Sequence, residues 1–344
     1  MKIYDINGYV DIPAILALGM PFTFIVGGRG TGKTYGALKH VRDNDIRFLF
    51  MRRTQSQLDT INKPEYSPFK SVDNDTDRHT LSKALSKYTA GYYDAVQTED
   101  GSLDPVGPCI GYTAALSTIA NLRGFDASDV TLMIYDEFIP ERHERPIKNE
   151  GAALLNAYET VNRNRELQGR PPLQLLCLAN ANDLGNPIFM ELGLVRTAEK
   201  MRQKRQELRA DPKRGICIVL LQDSPISAKK RDTALYRLSS GSEFSEMALD
   251  NSFAGEERST VQSMPLSELR PVVAVGELCI YRHKAKRQFY ASTHVTGSPP
   301  TFGAGEMELA RFRRVYNWIW IEYMRNNIVF EEYLAEILLT KYFG

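Results

Sequence analysis

Four cysteines in 344 residues, Cys109, Cys177, Cys217 and Cys279, are few and widely spaced, and no two form a CxxC pair. Neither a zinc ribbon nor a disulfide framework is therefore expected, and the four read as small core residues. Long apolar runs are missing as well. The longest, Ala14 to Val26, is too short to span a bilayer and contains Pro21, so no membrane partner is expected. The first residues carry Asp5 and Asp11 where a secretory leader would need a basic cluster, which predicts a cytoplasmic protein. Charge of one sign is not in excess. A net charge of +1 argues against coating nucleic acid through global charge and leaves open a local basic track, repeated by symmetry in a ring. No internal repeat or low-complexity tract is visible.

What is present is an ordinary globular composition, 43% hydrophobic and 25% charged. The length suggests two domains, or one large domain with an appendage. Residues 22–26 (FTFIV) form an apolar strand that meets a glycine-rich loop, and Tyr35 to Val41 reads as the following helix. Further strands are expected at Arg47 to Met51, Val130 to Tyr135, Leu173 to Leu178 and Ile216 to Leu221. A helix is expected over Glu150 to Arg165, and a helix-like piece at Leu81 to Tyr88. The continuous apolar runs suit strands covered on both faces, and their alternation with helices implies an α/β fold with a mostly parallel sheet. The pattern breaks at Asp223. A smaller α+β domain is expected beyond it, with a hairpin near Leu278 to Ser292 and helices at Glu306 to Met324 and Phe330 to Tyr342. The resulting division is 1–226, a linker over 227–257, and 258–344.

Gly27-Gly28-Arg29-Gly30-Thr31-Gly32-Lys33-Thr34 matches the P-loop pattern in full and stands after a strand and before a helix, as that pattern requires. Backbone N–H groups of such a loop and of the helix N-terminus surround phosphates, and glycine allows the close approach. Lys33 is placed to reach the β- and γ-phosphates, and the Thr34 hydroxyl to bind Mg²⁺. Asp136, closing an apolar strand, fits the Walker B carboxylate that holds the magnesium ion. Glu137 directly after it suits the residue that orients and deprotonates the attacking water. The implied ligands are ATP and Mg²⁺.

Phosphoryl transfer also calls for a cation at the charge developing on the γ-phosphate, often from a neighbouring molecule. Arg163 and Arg165 in TVNRNRE are candidates, beside Arg29 in the loop and Arg123 in NLRGF. A solvated arginine face is the alternative for each. Asn180, just past LQLLCL, stands where a polar residue senses the γ-phosphate.

These segments in this order resemble the phi-twenty-nine type of phage DNA-packaging ATPase, relatives of the large terminases within the ASCE P-loop class. The resemblance rests on GGRGTGKTY, the Arg52-Arg53 pair, YDEFI at Tyr135 to Ile139, TVNRNRE at Thr160 to Glu166 and LANA at Leu178 to Ala181 with Asn186-Pro187. It rests above all on GSEFSEMALDNSFAGE at Gly241 to Glu256, which lies outside the common ATPase core. It covers roughly residues 20 to 257. The resemblance implies a homomeric ring of five subunits, docked on the portal of an empty capsid in the host cytoplasm and driving double-stranded DNA inward. It also implies a short helical linker and a C-terminal domain like a degenerate ribonuclease-H-like nuclease. By position Arg163 takes the arginine-finger role in trans. Arg123 falls where the family has a lysine near a neighbour's nucleotide, and Gln55 near a family lysine facing the channel. A structural RNA ring at the portal accompanies family members.

The readings that compete with a translocase are a complete terminase that also cuts DNA, a helicase, and a nucleotide-gated assembly protein without turnover. The residue pattern bears on the first. Between Leu278 and Gly305 there is no Asp or Glu, and the expected hairpin carries Arg282, His283, Lys284, Lys286 and Arg287 where a two-metal nuclease needs acids. Arg52, Arg53, Lys284, Lys286 and Arg287 are candidate contacts to DNA phosphates, with a solvated basic hairpin that holds no ligand as the alternative for the last three.

Overall fold

The computed structural model describes residues 2–122, 126–141, 144–145, 147–242, 245 and 261–344. The chain divides into two units, Met1–Ala254 and Gly255–Gly344. Arg123 and most of the Gly241 to Glu256 string lie outside the described residues.

The first unit is built on a nine-stranded sheet. In chain order its strands are β1 (Phe22–Gly27), β2 (Phe48–Arg52), β3 (Thr80–Ala84), β4 (Thr89–Gln97), β5 (Leu103–Ala115), β6 (Leu132–Asp136), β7 (Gln174–Asn180), β8 (Leu208–Asp211) and β9 (Ile216–Leu221). Their spatial order is β3-β4-β5-β2-β6-β7-β1-β9-β8. The six from β5 to β9 in that order run parallel, whereas β3, β4 and β8 join by antiparallel pairing. β7 thus lies between the P-loop strand β1 and the acidic strand β6.

The central strands read as unbroken apolar runs because both faces are covered. Along β1, Ile25 packs with Ala37, Leu38 and Val41 of the helix Lys33–Asp43 and with Ile12 and Ile15 of the N-terminal segment. Phe24, on the opposite face by the two-residue alternation of a strand, meets Phe138 and Phe189 at ring separations of 6.0 and 5.6 Å. Each such fully buried side chain contributes about 1.5–3 kcal/mol relative to exposure.

The helix expected from Glu150 ends at Asn162, three residues short of Arg165. The helix-like reading of Leu81 to Tyr88 is corrected: Thr80–Ala84 is the edge strand β3, paired antiparallel to β4. The two long strands β4 and β5 are not expected from the residue pattern. Pro105 and Pro108 sit in the part of β5 that β2 does not pair, where a missing N–H costs no ladder bond on that side.

The second unit holds a five-stranded mixed sheet of β10 (Leu269–Val275), β11 (Leu278–His283), β12 (Phe289–Ser292), β13 (Thr301–Phe302) and β14 (Ile328–Phe330), in the order β13-β10-β11-β12-β14. β11 and β12 form the expected hairpin. The helix Glu306–Met324 follows β13, and Tyr333–Phe343 follows β14. The latter starts later than the expected Phe330, because Ile328–Phe330 pairs parallel to β12. Phe312, Ile319 and Leu339 are buried, and Phe312 contacts Phe343 at 5.1 Å. Among the described residues no helix is long and apolar enough to cross a membrane.

Candidate nucleotide site

The loop between β1 and the helix Lys33–Asp43 closes over a cavity of about 340 Å³. Arg29, Gly30, Gly32, Lys33, Thr34, Tyr35, Asp136, Glu137, Ala179 and Asn180 line it. Gly32 caps the helix at φ +87 with the Tyr9 ring 3.1 Å from where a Cβ would stand. A side chain there would be strained and also obstructed. No side chain caps this helix end, so its free N–H groups and the positive end of its dipole face the cavity, an arrangement suited to anions.

Lys33 is buried, and its Nζ donates to the carbonyls of Gly27 (2.9 Å) and Gly28 (2.7 Å) and to Asn180 Oδ1 (3.3 Å). The Lys33 and Asn180 contact follows from the β1–β7 register, which sets Gly27 opposite Asn180. Burial lowers the Lys33 ammonium pKa to about 7, against the opposing pull of Asp136.

The parallel strand β6 delivers Asp136 to the same spot. The Thr34 hydroxyl donates to its carboxylate, 3.0 Å from both oxygens. A hydroxyl and a buried carboxylate are hard oxygen donors of the kind Mg²⁺ takes, with waters and phosphates filling its other positions. Such an ion, held by Thr34 and Asp136, would supply positive charge beside bound phosphates. Glu137 follows at φ +59, outside the strand, and burial raises the pKa of its carboxyl. A carboxylate so raised is a better proton acceptor than a fully solvated one.

The arginines sort differently from the sequence expectation. Arg52, expected to meet DNA phosphates, is engaged by the carboxylates of the nucleotide site. Its Nη2 lies 3.2 Å from Asp136, its Nη1 is ion-paired with Glu137, and its side chain is 12% exposed. The strand register decides this: β2 pairs β6 with Met51 opposite Tyr135, so the next residues, Arg52 and Asp136, are neighbours. Arg53 is corrected too. It is fully buried and donates to Glu150 at 2.7 and 3.0 Å and to Glu144 at 2.8 Å, while the Tyr135 hydroxyl also donates to Glu150. Opening such a pair from one side costs about 3–5 kcal/mol, so Arg53 is committed to the fold.

Arg165 is likewise structural. It is buried, and its Nη1 donates to the Val130 carbonyl at 2.5 Å, which removes it as a finger candidate. Arg163 caps the helix Glu150–Asn162 at φ +48, has a 47% exposed side chain, pairs with Asp126 at 3.8 Å and does not line its own chain's cavity. Arg29, at the cavity rim, is paired with Glu141. Gln55 opens a short helix and bonds Asp59 and Thr118. In the second unit, Lys284, Lys286 and Arg287 are exposed on the β11–β12 turn. His283 Nδ1 holds that turn by accepting from the N–H groups of Ala285 and Lys286 at 3.1 and 3.2 Å.

A P-loop, a hydroxyl and carboxylate pair at the helix start and a second acid beyond it make up a site of the P-loop nucleotide-binding class. The family model described as podovirus DNA encapsidation protein (Gp16) matches residues 6–269, and the chain belongs to that family. It is 31% identical over 238 residues to the DNA packaging protein of Bacillus phage B103, a match covering 68% of this chain and 64% of that one. Identity to the phi29 DNA packaging protein is 29% over 239 residues, 68% and 62% of the two chains. The matches thus span less than two thirds of the length of these relatives. The fold is similar to that in the bacteriophage Phi-29 viral genome packaging motor assembly, at a TM-score of 0.66 and 21% identity over 97% of this chain and 99% of that one. It is similar also to the Phi-28 gp11 DNA packaging motor, at 0.63 and 19% over 98% of each.

Proposed function

We propose that this protein is an ATPase that uses hydrolysis to drive double-stranded DNA into a preformed viral capsid. The observation that carries the reading is the convergence of Lys33, Thr34, Asp136 and Glu137 on one cavity in a chain of the encapsidation family. A switch that only binds nucleotide has no need of Glu137. Thr34 and Asp136 hold Mg²⁺, Lys33 and the loop hold the phosphates, Asn180 senses them through Lys33, and Glu137 takes the proton of the attacking water. The working form is a homomeric, pentameric ring on the capsid portal, with a structural RNA as a further partner. Arg163 acts across the subunit boundary, and Arg123 near the neighbour's nucleotide.

DNA is gripped through phosphates, because a packaging motor must pass every sequence. With Arg52 and Arg53 engaged by carboxylates, the proposed contacts are Lys284, Lys286 and Arg287. We read the second unit as a vestigial nuclease-like module joined through a linker at 227–257. Two of its carboxylates, Glu331 and Glu332, are engaged by Ser292, Thr293 and His294. The deciding experiment is phosphate release with and without DNA, over a salt series. DNA should stimulate release, binding should weaken steeply with salt and depend little on sequence, and the DNA should stay uncut in Mg²⁺ or Mn²⁺. No DNA response, a salt-resistant sequence preference, or metal-dependent cleavage surviving Lys33→Ala would each overturn this reading.

ATP binding should also be pH-dependent with a definite sign. Burial holds Lys33 at about 7, whereas adjacent phosphates favour its charged form. Binding above pH 7 therefore takes up a proton, and affinity falls as pH rises. Calorimetry at pH 8 in two buffers of different ionisation enthalpy should register that uptake. Heats that do not differ between the buffers would refute it.

A further inference from the structure

A second lysine reaches the P-loop from a part of the chain that no nucleotide-binding motif includes. After β9, the short helix Pro225–Lys230 packs back over the N-terminal segment. A Cβ on Gly8 would stand 2.8 Å from Pro225, and Lys229 Nζ donates to the Asn7 carbonyl at 3.3 Å. Lys230, at the end of that helix, donates from Nζ to the carbonyl of Arg29 at 2.5 Å. A Cβ built on Gly30 would lie 2.1 Å from the same nitrogen. The absence of a side chain at residue 30 is thus what lets an ammonium sit against the crown of the loop.

Three features mark this contact as more than a staple. An ammonium has three protons to place, and among the described residues Lys230 Nζ has the single acceptor Arg29 O and no carboxylate partner. The side chain is half-buried, which lowers its pKa, so its charge is held where solvation is poor. The charge of Lys230 also bears on Lys33 and disfavours the Lys33 ammonium. Two cations converge on one loop and repel, a cost that a polyanion in the loop reverses into attraction.

We infer that Lys230 is a second phosphate-binding cation, supplied by the same chain, whose ammonium exchanges the Arg29 carbonyl for the β- and γ-phosphate oxygens of the bound nucleotide. This rests on the nucleotide reading of the cavity and adds to it. The consequence is mechanical. Lys230 lies within the proposed linker 227–257, so the phosphates grip that segment as well as the loop that holds them.

The test is titration of a fluorescent ATP analogue with Mg²⁺ into the full chain, for the wild type, Lys230→Gln, Lys230→Arg and Lys33→Ala. Melting temperatures are measured without nucleotide. Glutamine retains an N–H donor for the Arg29 carbonyl and lacks the charge, so it separates the two roles. Lys230→Gln should bind about tenfold more weakly, within the range of a lost charge-assisted hydrogen bond. Lys230→Arg should stay within about twofold to threefold of the wild type, and the melting temperatures should coincide. Wild-type affinity in Lys230→Gln would reduce Lys230 to a loop staple and overturn the inference. Equal loss in Lys230→Arg, or a loss matched by a lower melting temperature, would overturn it as well. Wild-type protein no better than Lys33→Ala would instead remove the nucleotide reading on which it stands.

Discussion

Glu137→Gln is expected to lower ATP turnover by about 10²–10⁴-fold, the usual contribution of a positioned general base, while ATP remains bound. Glutamine leaves the loop, Lys33 and the Thr34–Asp136 pair untouched, so the phosphate cradle survives and only proton acceptance is lost. Lys33→Ala should fail differently. It removes the charge from the phosphates themselves, so affinity falls together with rate. Phosphate release measured beside the amount of nucleotide retained on a spin column separates the two outcomes. A wild-type rate in Glu137→Gln would show that another group activates the water. Because burial raises the Glu137 pKa, wild-type turnover should decline as pH falls through that raised value, earlier than for a solvated glutamate. The protonated carboxyl cannot accept the water's proton.

Arg163→Ala should cost on the order of 10³-fold or more in turnover in the assembled ring, the scale of a lost arginine finger, with ATP affinity of isolated subunits little changed. The side chain stands beyond the end of its helix, half-exposed and outside its own chain's cavity. A role in hydrolysis therefore requires a neighbour's cavity. Mixing Arg163→Ala with Glu137→Gln subunits creates interfaces that pair an intact Glu137 with an intact Arg163, and part of the hydrolysis should return. Turnover that stays flat across mixing ratios in well-exchanged rings would rule out action in trans.

Much of the site could be read along the chain because its parts are contiguous. The loop from Gly27 to Thr34 carries its own chemistry, and the helix start that follows it is fixed by local backbone geometry. Asp136 and Glu137 were legible from their place at the end of an apolar strand. Where contacts are non-local the reading failed. Leu81 and Leu85 have helical spacing, yet Thr80–Ala84 is a strand because it pairs with Tyr92 and its neighbours on β4. The β5 strand carries Pro105, Gly107 and Pro108, residues that argue against a strand, and it is tolerated because only its second half is enclosed on both sides.

The pair Arg52-Arg53 shows most directly what each level decided. The sequence by itself determined that two adjacent cations end a strand, and adjacent strand residues must point to opposite faces. It determined equally that a phosphate-binding loop and an acidic strand end exist. Only the tertiary structure decided which partners each cation meets: the parallel register of β2 and β6 sets Arg52 against Asp136 and Glu137, and the start of the helix Glu150–Asn162 sets Glu150 against Arg53. The same holds for Lys230, brought to Arg29 across some two hundred residues of chain. Local propensity and motif chemistry are written in neighbouring residues, whereas charge pairing depends on which distant elements the buried sheet brings side by side.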